Sequence, residues 1–252
     1  TAGFLEGDVN KAVGNIGPGF SQSTVEALGN VVISSNYGNS TDAVGTAVGS
    51  SAGNALLKLT GDAARTITIP SNVRGYFNPI ELNAPNTTVN TSGTGTAGVQ
   101  FLTLQSGSIN TGATTFSIDR YAHTQSGGSF VCGTGTTIFD GGSFTQTGGT
   151  LDCSAATALN LNFHNLTLNG GTYKAPSSLL NYRGGNFNRN AGTFDPNDGT
   201  VTFVGYTGPL GGNCCVNLNF DGAAQGTQNF FNVTFNNPNG NDGARLSRTD
   251  IM

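Results

Sequence analysis

The sequence is poor in charge. Only 10% of its 252 residues are Asp, Glu, Lys or Arg, against about 25% in ordinary soluble domains. Ten basic and 14 acidic residues leave a net charge of −4, a balance that offers nothing to attract nucleic acid or an anionic membrane. No run of 18 apolar residues occurs, which excludes a membrane-spanning helix. Lys and Glu, good helix formers, are scarce, so helical architectures are not expected. Trp is absent and Met occurs once. What is plentiful is Gly, at 39 residues, with Thr, Asn and Ser beside it. This composition leads us to expect a secreted or cell-surface protein rather than a cytosolic enzyme. The chain opens on Thr1, and a processed form is expected.

A column of apolar residues recurs at near-constant spacing: Ile109, Phe130, Leu151, Tyr173 and Phe194. The steps are 21, 21, 22 and 21 residues. Each member follows a turn tripeptide, for example Gly127-Gly128-Ser129, Gly148-Gly149-Thr150 and Gly170-Gly171-Thr172. Three further columns keep the same offsets. They are Phe116, Thr137, Leu159, Leu180, Val201; then Ile118, Phe139, Leu161, Tyr182, Phe203; then His123, Phe144, Leu166, Phe187. Self-similarity at a fixed period of this length marks a stacked repeat.

Within one repeat the apolar residues sit two apart, as in Leu159 and Leu161 or Val201 and Phe203. That is strand alternation, one side inward and the other wet. Gly128, Gly142, Gly149, Gly185 and Gly192 each precede an apolar residue by two, at multiples or near-multiples of seven. A strand of four or five residues plus a glycine corner fills seven positions. Three such sides make one lap of a single-stranded parallel β-helix, about 21–22 residues long and right-handed by the rule for parallel crossovers. Stacked laps lie about 4.8 Å apart, which turns each column into a continuous ladder. No lap can bury its inner side alone. A helical solenoid fails on composition, and a β-sandwich does not require equal-length columns. The expected class is therefore all-β.

Residues 1–55 lack the period and are expected to form an irregular cap or an extension reaching a neighbouring subunit. Residues 56–252 are expected to form the β-helix, with the most regular coils over 106–203. The register is interrupted over Gly205–Cys215 and resumes at Val216-Asn217-Leu218.

Cysteine adds a constraint. Cys132 and Cys153 are 21 residues apart, so they face each other on adjacent laps, either as a disulfide or as two small buried hydrophobes. Cys214 and Cys215 are adjacent and can bridge each other or another chain. No Cys-x-x-Cys occurs, and neither His has ligand spacing to a Cys, so no metal is expected. An oxidising compartment is favoured.

The phrases Phe163-His164-Asn165-Leu166-Thr167-Leu168-Asn169, Phe231-Asn232-Val233-Thr234-Phe235 and Gly199-Thr200-Val201-Thr202-Phe203 resemble those of large bacterial secreted β-helix surface proteins, including adhesins and autotransporter passengers. The resemblance spans roughly 60–252. It implies an extracellular, adhesive or structural role. The same scaffold hosts polysaccharide lyases and tailspike hydrolases. The cysteines depart from the passenger pattern.

Catalytic candidates are thin. Asp119 and Asp140 are 21 apart and are the best outward carboxylate pair available, although two solvated corner carboxylates are the expected reading. Asp195-Pro196-Asn197-Asp198-Gly199 has oxygen ligands at contiguous positions, which suits an Asx-Pro corner better than a calcium loop. His123 falls in an apolar column and is expected to be a satisfied inward histidine; His164 is expected to be outward. Gly-x-Gly at 93–95 and 133–135 reads as corners, because no helix pattern follows. Sequons at Asn39, Asn86, Asn90, Asn165 and Asn232 matter only where the source glycosylates.

No enzymatic activity and no cofactor are expected. A solenoid has two open edges that recruit other chains, and low charge removes repulsion between copies. The expected function is an extracellular structural subunit that self-associates by head-to-tail stacking into a filament, sheath or adhesive fibre. The alternatives are a carbohydrate-active or carbohydrate-binding β-helix with a surface polysaccharide as partner, or a fragment of a long monomeric adhesin.

Overall fold

The computed structural model describes residues 24–28, 56–70, 79–93, 95–99, 102–118, 122–204, 216–219, 230–236 and 245–247. Among them there is no helix. Neighbouring strands are parallel, as in the pairs Thr150–Asp152 with Ser129–Val131 and Thr200–Phe203 with Leu179–Tyr182. The chain winds as a parallel β-solenoid with three faces.

Face A carries Thr24–Ala27, Leu56–Thr60, residues 80–83, 102–105, His123–Gln125, 143–146, 165–169, 186–190, Asn217–Asn219 and Arg245–Ser247. Face B runs from Arg65–Pro70 through 87–92, 108–110, Ser129–Val131, Thr150–Asp152 and 172–174 to 193–195. Face C runs from Thr96–Val99 through Thr115–Ile118, 136–139, 158–161, Leu179–Tyr182 and Thr200–Phe203 to Asn232–Phe235. Ala158–Lys174 passes across all three faces as one 17-residue strand.

All four columns are in register. Ile109 pairs with Phe130, Phe130 with Leu151, Leu151 with Tyr173, and Tyr173 with Phe194. Phe139 pairs with Ile118 and Leu161, and Tyr182 with Leu161 and Phe203. Phe144 pairs with His123 and Leu166, and Leu166 with Phe187. These side chains fill the core, and each buried aliphatic or aromatic group contributes about 1.5–3 kcal/mol relative to exposure. The first column continues backward through Val89 to Ile67. After Phe187 the next member of its column is Leu218, 31 residues on instead of 21, and the register is nevertheless kept.

The A–B corner explains the turn tripeptides. Its glycines have positive φ: Gly107 83°, Gly128 64°, Gly149 72°, Gly171 75° and Gly192 75°. A Cβ on Gly149 would lie 2.4 Å from the Gly127 carbonyl oxygen one lap below. Glycine is thus required there by both backbone conformation and lap spacing.

Within residues 1–55, which lack the period, Thr24–Ala27 forms a short strand that adds a parallel rung to Leu56–Thr60. Near the C-terminal end, Phe230 packs on Phe187, Phe194 and Phe203 at centroid distances of 6.3, 5.5 and 5.8 Å and covers part of the core there. Cys214 and Cys215 lie outside the described residues.

Candidate functional site

Lap register places Cys132 over Cys153, with Cα atoms 4.5 Å apart, and the two form a disulfide. Both are fully buried. The Cys132 N–H donates to the Asp152 carbonyl at 2.8 Å and the Cys153 N–H to that of Lys174 at 2.9 Å, so the bond adds covalent closure to an already paired corner. The sequence left open whether these two cysteines are bonded; the structure bonds them, which fits a non-reducing environment.

His123 is inward and buried. Its Nδ1 accepts the Leu102 N–H at 3.4 Å, and Nε2 faces the Asp140 carbonyl at 3.5 Å. The ring meets Phe139 edge-on at 6.4 Å. A cavity of about one water's size lies beside it, walled by Leu102, Leu104, Phe139, Phe144 and Leu151. Burial lowers the imidazole to about 4, partly offset by the Asp140 carbonyl. The neutral ring is therefore the stable form at neutral pH.

The other candidates are scattered over the described residues or lie outside them. Asp140 is exposed on Thr136–Gln146, while Asp119 lies outside the described residues. The backbone of His164 belongs to the strand Ala158–Lys174; its side chain lies outside the described residues. Asp195 accepts the Asn197 N–H on Oδ1 at 2.8 Å, and the Gly199 N–H donates to the Pro196 carbonyl at 2.9 Å. Asn197 and Asp198 have φ of 48° and 57°. That is a turn closed by its own hydrogen bonds. Asp152, Lys174 and Asp195 stack in register on face B. Burial raises the Asp152 carboxyl, but hydrogen bonds from Ser154 and the Lys174 charge outweigh it and leave it below its ordinary value. Among the described residues no three His, Cys, Asp or Glu side chains converge in a metal-holding group.

Sequence reasoning missed a second set of inward polar residues. Gln125 and Gln146 are buried and lie two positions beyond His123 and Phe144 in the chain. Gln125 Nε2 donates to the Thr150 carbonyl at 2.9 Å, and Gln146 Nε2 to that of Thr172 at 3.0 Å. Each spans the A–B corner and satisfies a carbonyl on the next lap. Arg189 occupies the equivalent place higher up and donates to the Gly192 carbonyl at 3.0 Å. No local pattern marks them: the place three before the corner glycine holds Gln125, Gln146 and Arg189, but Leu104 before Gly107 and Leu168 before Gly171. Arg65 satisfies carbonyls in the same way at the N-terminal end. Its guanidinium donates to the carbonyls of Ala27 at 3.0 Å and Thr60 at 2.6 Å and to Thr87 Oγ1 at 2.9 Å, joining three laps. Burial lowers its pKa.

The outer surfaces are unequal. On face A, ladders of side-chain hydrogen bonds run lap to lap. Asn217 Nδ2 donates to Asn186 Oδ1 at 2.9 Å, and the Asn186 amide in turn donates to Asn165. Beside it, Asn219 donates to Asn188 at 2.6 Å and Asn188 to Thr167 at 3.2 Å. Asn190 donates to Asn169 at 2.8 Å. From Thr103 to Asn219 the described outward positions of this face are all Thr, Ser, Gln or Asn. Face B carries the Asp152–Lys174–Asp195 charges, and face C carries half-buried Ile138 and Leu179 beside a shorter ladder in which Asn181 Nδ2 donates to Asn160 Oδ1 at 2.9 Å.

Large apolar side chains with high exposure, among the described residues, are Leu28 at 65%, Phe231 at 61%, Val233 at 39% and Phe235 at 57%. They lie at the two ends of the solenoid and not along its sides. Val233 and Phe235 continue the columns of Val201 and Phe203, and Phe235 stacks on Phe203 at 5.6 Å. Among the described residues Asn232–Phe235 pairs only with the rung beneath it.

Comparison with known proteins adds no relative: no family model, no curated protein and no solved structure matches this chain. The solenoid is established by its own geometry, and no helix among the described residues is long and apolar enough to cross a membrane.

Proposed function

We propose that this protein is an extracellular structural subunit whose β-solenoid assembles end to end into a surface fibre, sheath or adhesive stalk, without enzymatic activity. One observation carries the reading: among the described residues the exposed large apolar groups are confined to the two ends. At the C-terminal end Val233 and Phe235 stand in the positions that every other lap covers with another lap. An exposed strand edge with an apolar inner side is a template for a further parallel strand, and repeated heterologous contacts of this kind extend without closing. The low charge of the chain leaves little repulsion to oppose stacking. A buried disulfide suits life outside the reducing cytosol.

The experiment is sedimentation and electron microscopy over a concentration series in non-reducing buffer. Filaments or a rising oligomer series are expected for the natural sequence. The double substitution Val233→Asp, Phe235→Asp should hold the protein monomeric while its circular dichroism stays unchanged. A natural protein that remains a dispersed monomer at high concentration would contradict the proposal.

A further inference from the structure

We infer that face A is a binding surface for an extended, neutral, unbranched polysaccharide, a role separate from end-to-end assembly. The inference starts from the contrast among the faces. Face A presents hydroxyls and amides, without charge and without apolar groups, at its described outward positions from Thr103 to Asn219. Its neighbours share such groups but interrupt them, face B with Val131, Asp152, Lys174 and Asp195 and face C with Ile138, Ala158 and Leu179. A face that only needed solubility would gain more from Lys and Glu than from amides.

The second element is order. The Asn217–Asn186–Asn165 and Asn219–Asn188–Thr167 chains each donate in one direction along the axis. Each amide gives one N–H to the lap below and keeps its second N–H and an oxygen lone pair for a ligand. The side chains are held by their neighbours, so little rotamer freedom is left to lose on binding. Chains of hydrogen bonds also polarise one another, which strengthens the outward donors.

The third element is spacing. Laps repeat at about 4.8 Å, close to the advance per sugar in an extended glycan. A chain lying along the solenoid axis therefore meets an equivalent donor–acceptor set at each residue. A single sugar hydroxyl gains only about 1 kcal/mol net from such a contact, so a monosaccharide is held weakly. A polymer crossing successive laps gains by multivalency. The absence of charge on the face selects a neutral polymer over a uronate or sulfated one.

Microcrystalline cellulose and chitin are the probes, with alginate as the anionic comparison. Retention on at least one neutral polymer is expected, with alginate bound at least tenfold more weakly. Thr145→Lys, in the middle of face A, should reduce retention at least tenfold. Thr202→Lys, outward on face C, should leave it unchanged. Both should keep the natural thermal midpoint, and Thr124→Lys, at an exposed face A position, replaces Thr145→Lys should that variant unfold. No retention on either neutral polymer would overturn the inference. Equal retention on alginate, or equal losses from the two faces, would do so as well. Fibre formation is scored separately on the same variants, so failure here leaves the end-to-end proposal standing.

Discussion

Gly133→Ala is expected to unfold the laps around the disulfide. A Cβ at this position would fall 1.5 Å from the Gly112 carbonyl oxygen and 2.3 Å from its carbon, well inside any tolerable contact. The obstacle is backbone, so no side chain can rotate away. Gly133 also donates its N–H to Thr111 Oγ1 at 2.9 Å, and the preceding Cys132 is tied both to Asp152 by a backbone hydrogen bond and to Cys153 by the disulfide. Relief requires this lap to move off the one below, breaking the Gly133–Thr111 and Thr111–Val131 hydrogen bonds, while the disulfide holds it to the lap above. The expected loss exceeds about 4 kcal/mol, a value reserved for a few severe mechanisms and a large share of a typical domain's stability. Gly112→Ala is the matched control. Its Cβ would meet nothing nearer than 3.5 Å, and only its φ of 54° is unfavourable, at about 1–2 kcal/mol. Urea unfolding of both variants measures the difference. Equal losses would mean that lap contact is not what demands glycine at 133.

Acid should destabilise the protein through His123, by about 3 kcal/mol between pH 7 and pH 4. The buried ring has its pKa lowered from 6.5 to about 4. The unfolded chain therefore takes up the proton first as pH falls. The stability tied to the neutral ring is fully present above about pH 6.5 and drains away as pH falls toward 4. Below that it changes no further, since both states are then protonated. His123→Phe places in the column the residue that Phe144 already supplies one lap above, and it removes the titration. The measurement is the urea midpoint at several pH values for both proteins, compared as a difference so that carboxylates common to both cancel. A natural protein with the same acid profile as His123→Phe would show that His123 is solvated.

The four columns were legible because two periods coincide: about 21 residues between laps and two residues along each strand. Phe130, Leu151 and Tyr173 can satisfy both only by stacking. The corner glycines were legible for a similar reason, since a turn that must repeat in register cannot vary its conformation. The spacing of Cys132 and Cys153 announced their juxtaposition but not the bond, because register fixes Cα positions and leaves the side chains a choice. Gln125, Gln146 and Arg65 were not legible. They break the apolar pattern of the inner side, and their partners are carbonyls 25, 26 and 38 residues away, which no local pattern reports. Phe230 was missed because it follows an interruption of the period and packs without belonging to a column. The amide ladders of face A were present as recurring Asn and Thr, but composition alone could not distinguish a hydrogen-bonded face from three mixed ones.

Lap register is the claim on which the fold, the exposed ends and the face A surface all depend, and paired cysteines test it most directly. Thr145 and Thr167 are register partners on adjacent laps of face A, in the relationship that brings the Cys132 and Cys153 Cα atoms to 4.5 Å. Thr145→Cys with Thr167→Cys should therefore cross-link on mild oxidation, as read by peptide mapping without reduction. Thr145→Cys with Asn169→Cys displaces the partner by two residues along the strand, about 6.6 Å, which with the lap spacing of about 4.8 Å puts the Cα atoms about 8 Å apart, beyond the reach of a disulfide, and should stay reduced. Cross-linking of the displaced pair in preference to the register pair would contradict the stacked solenoid.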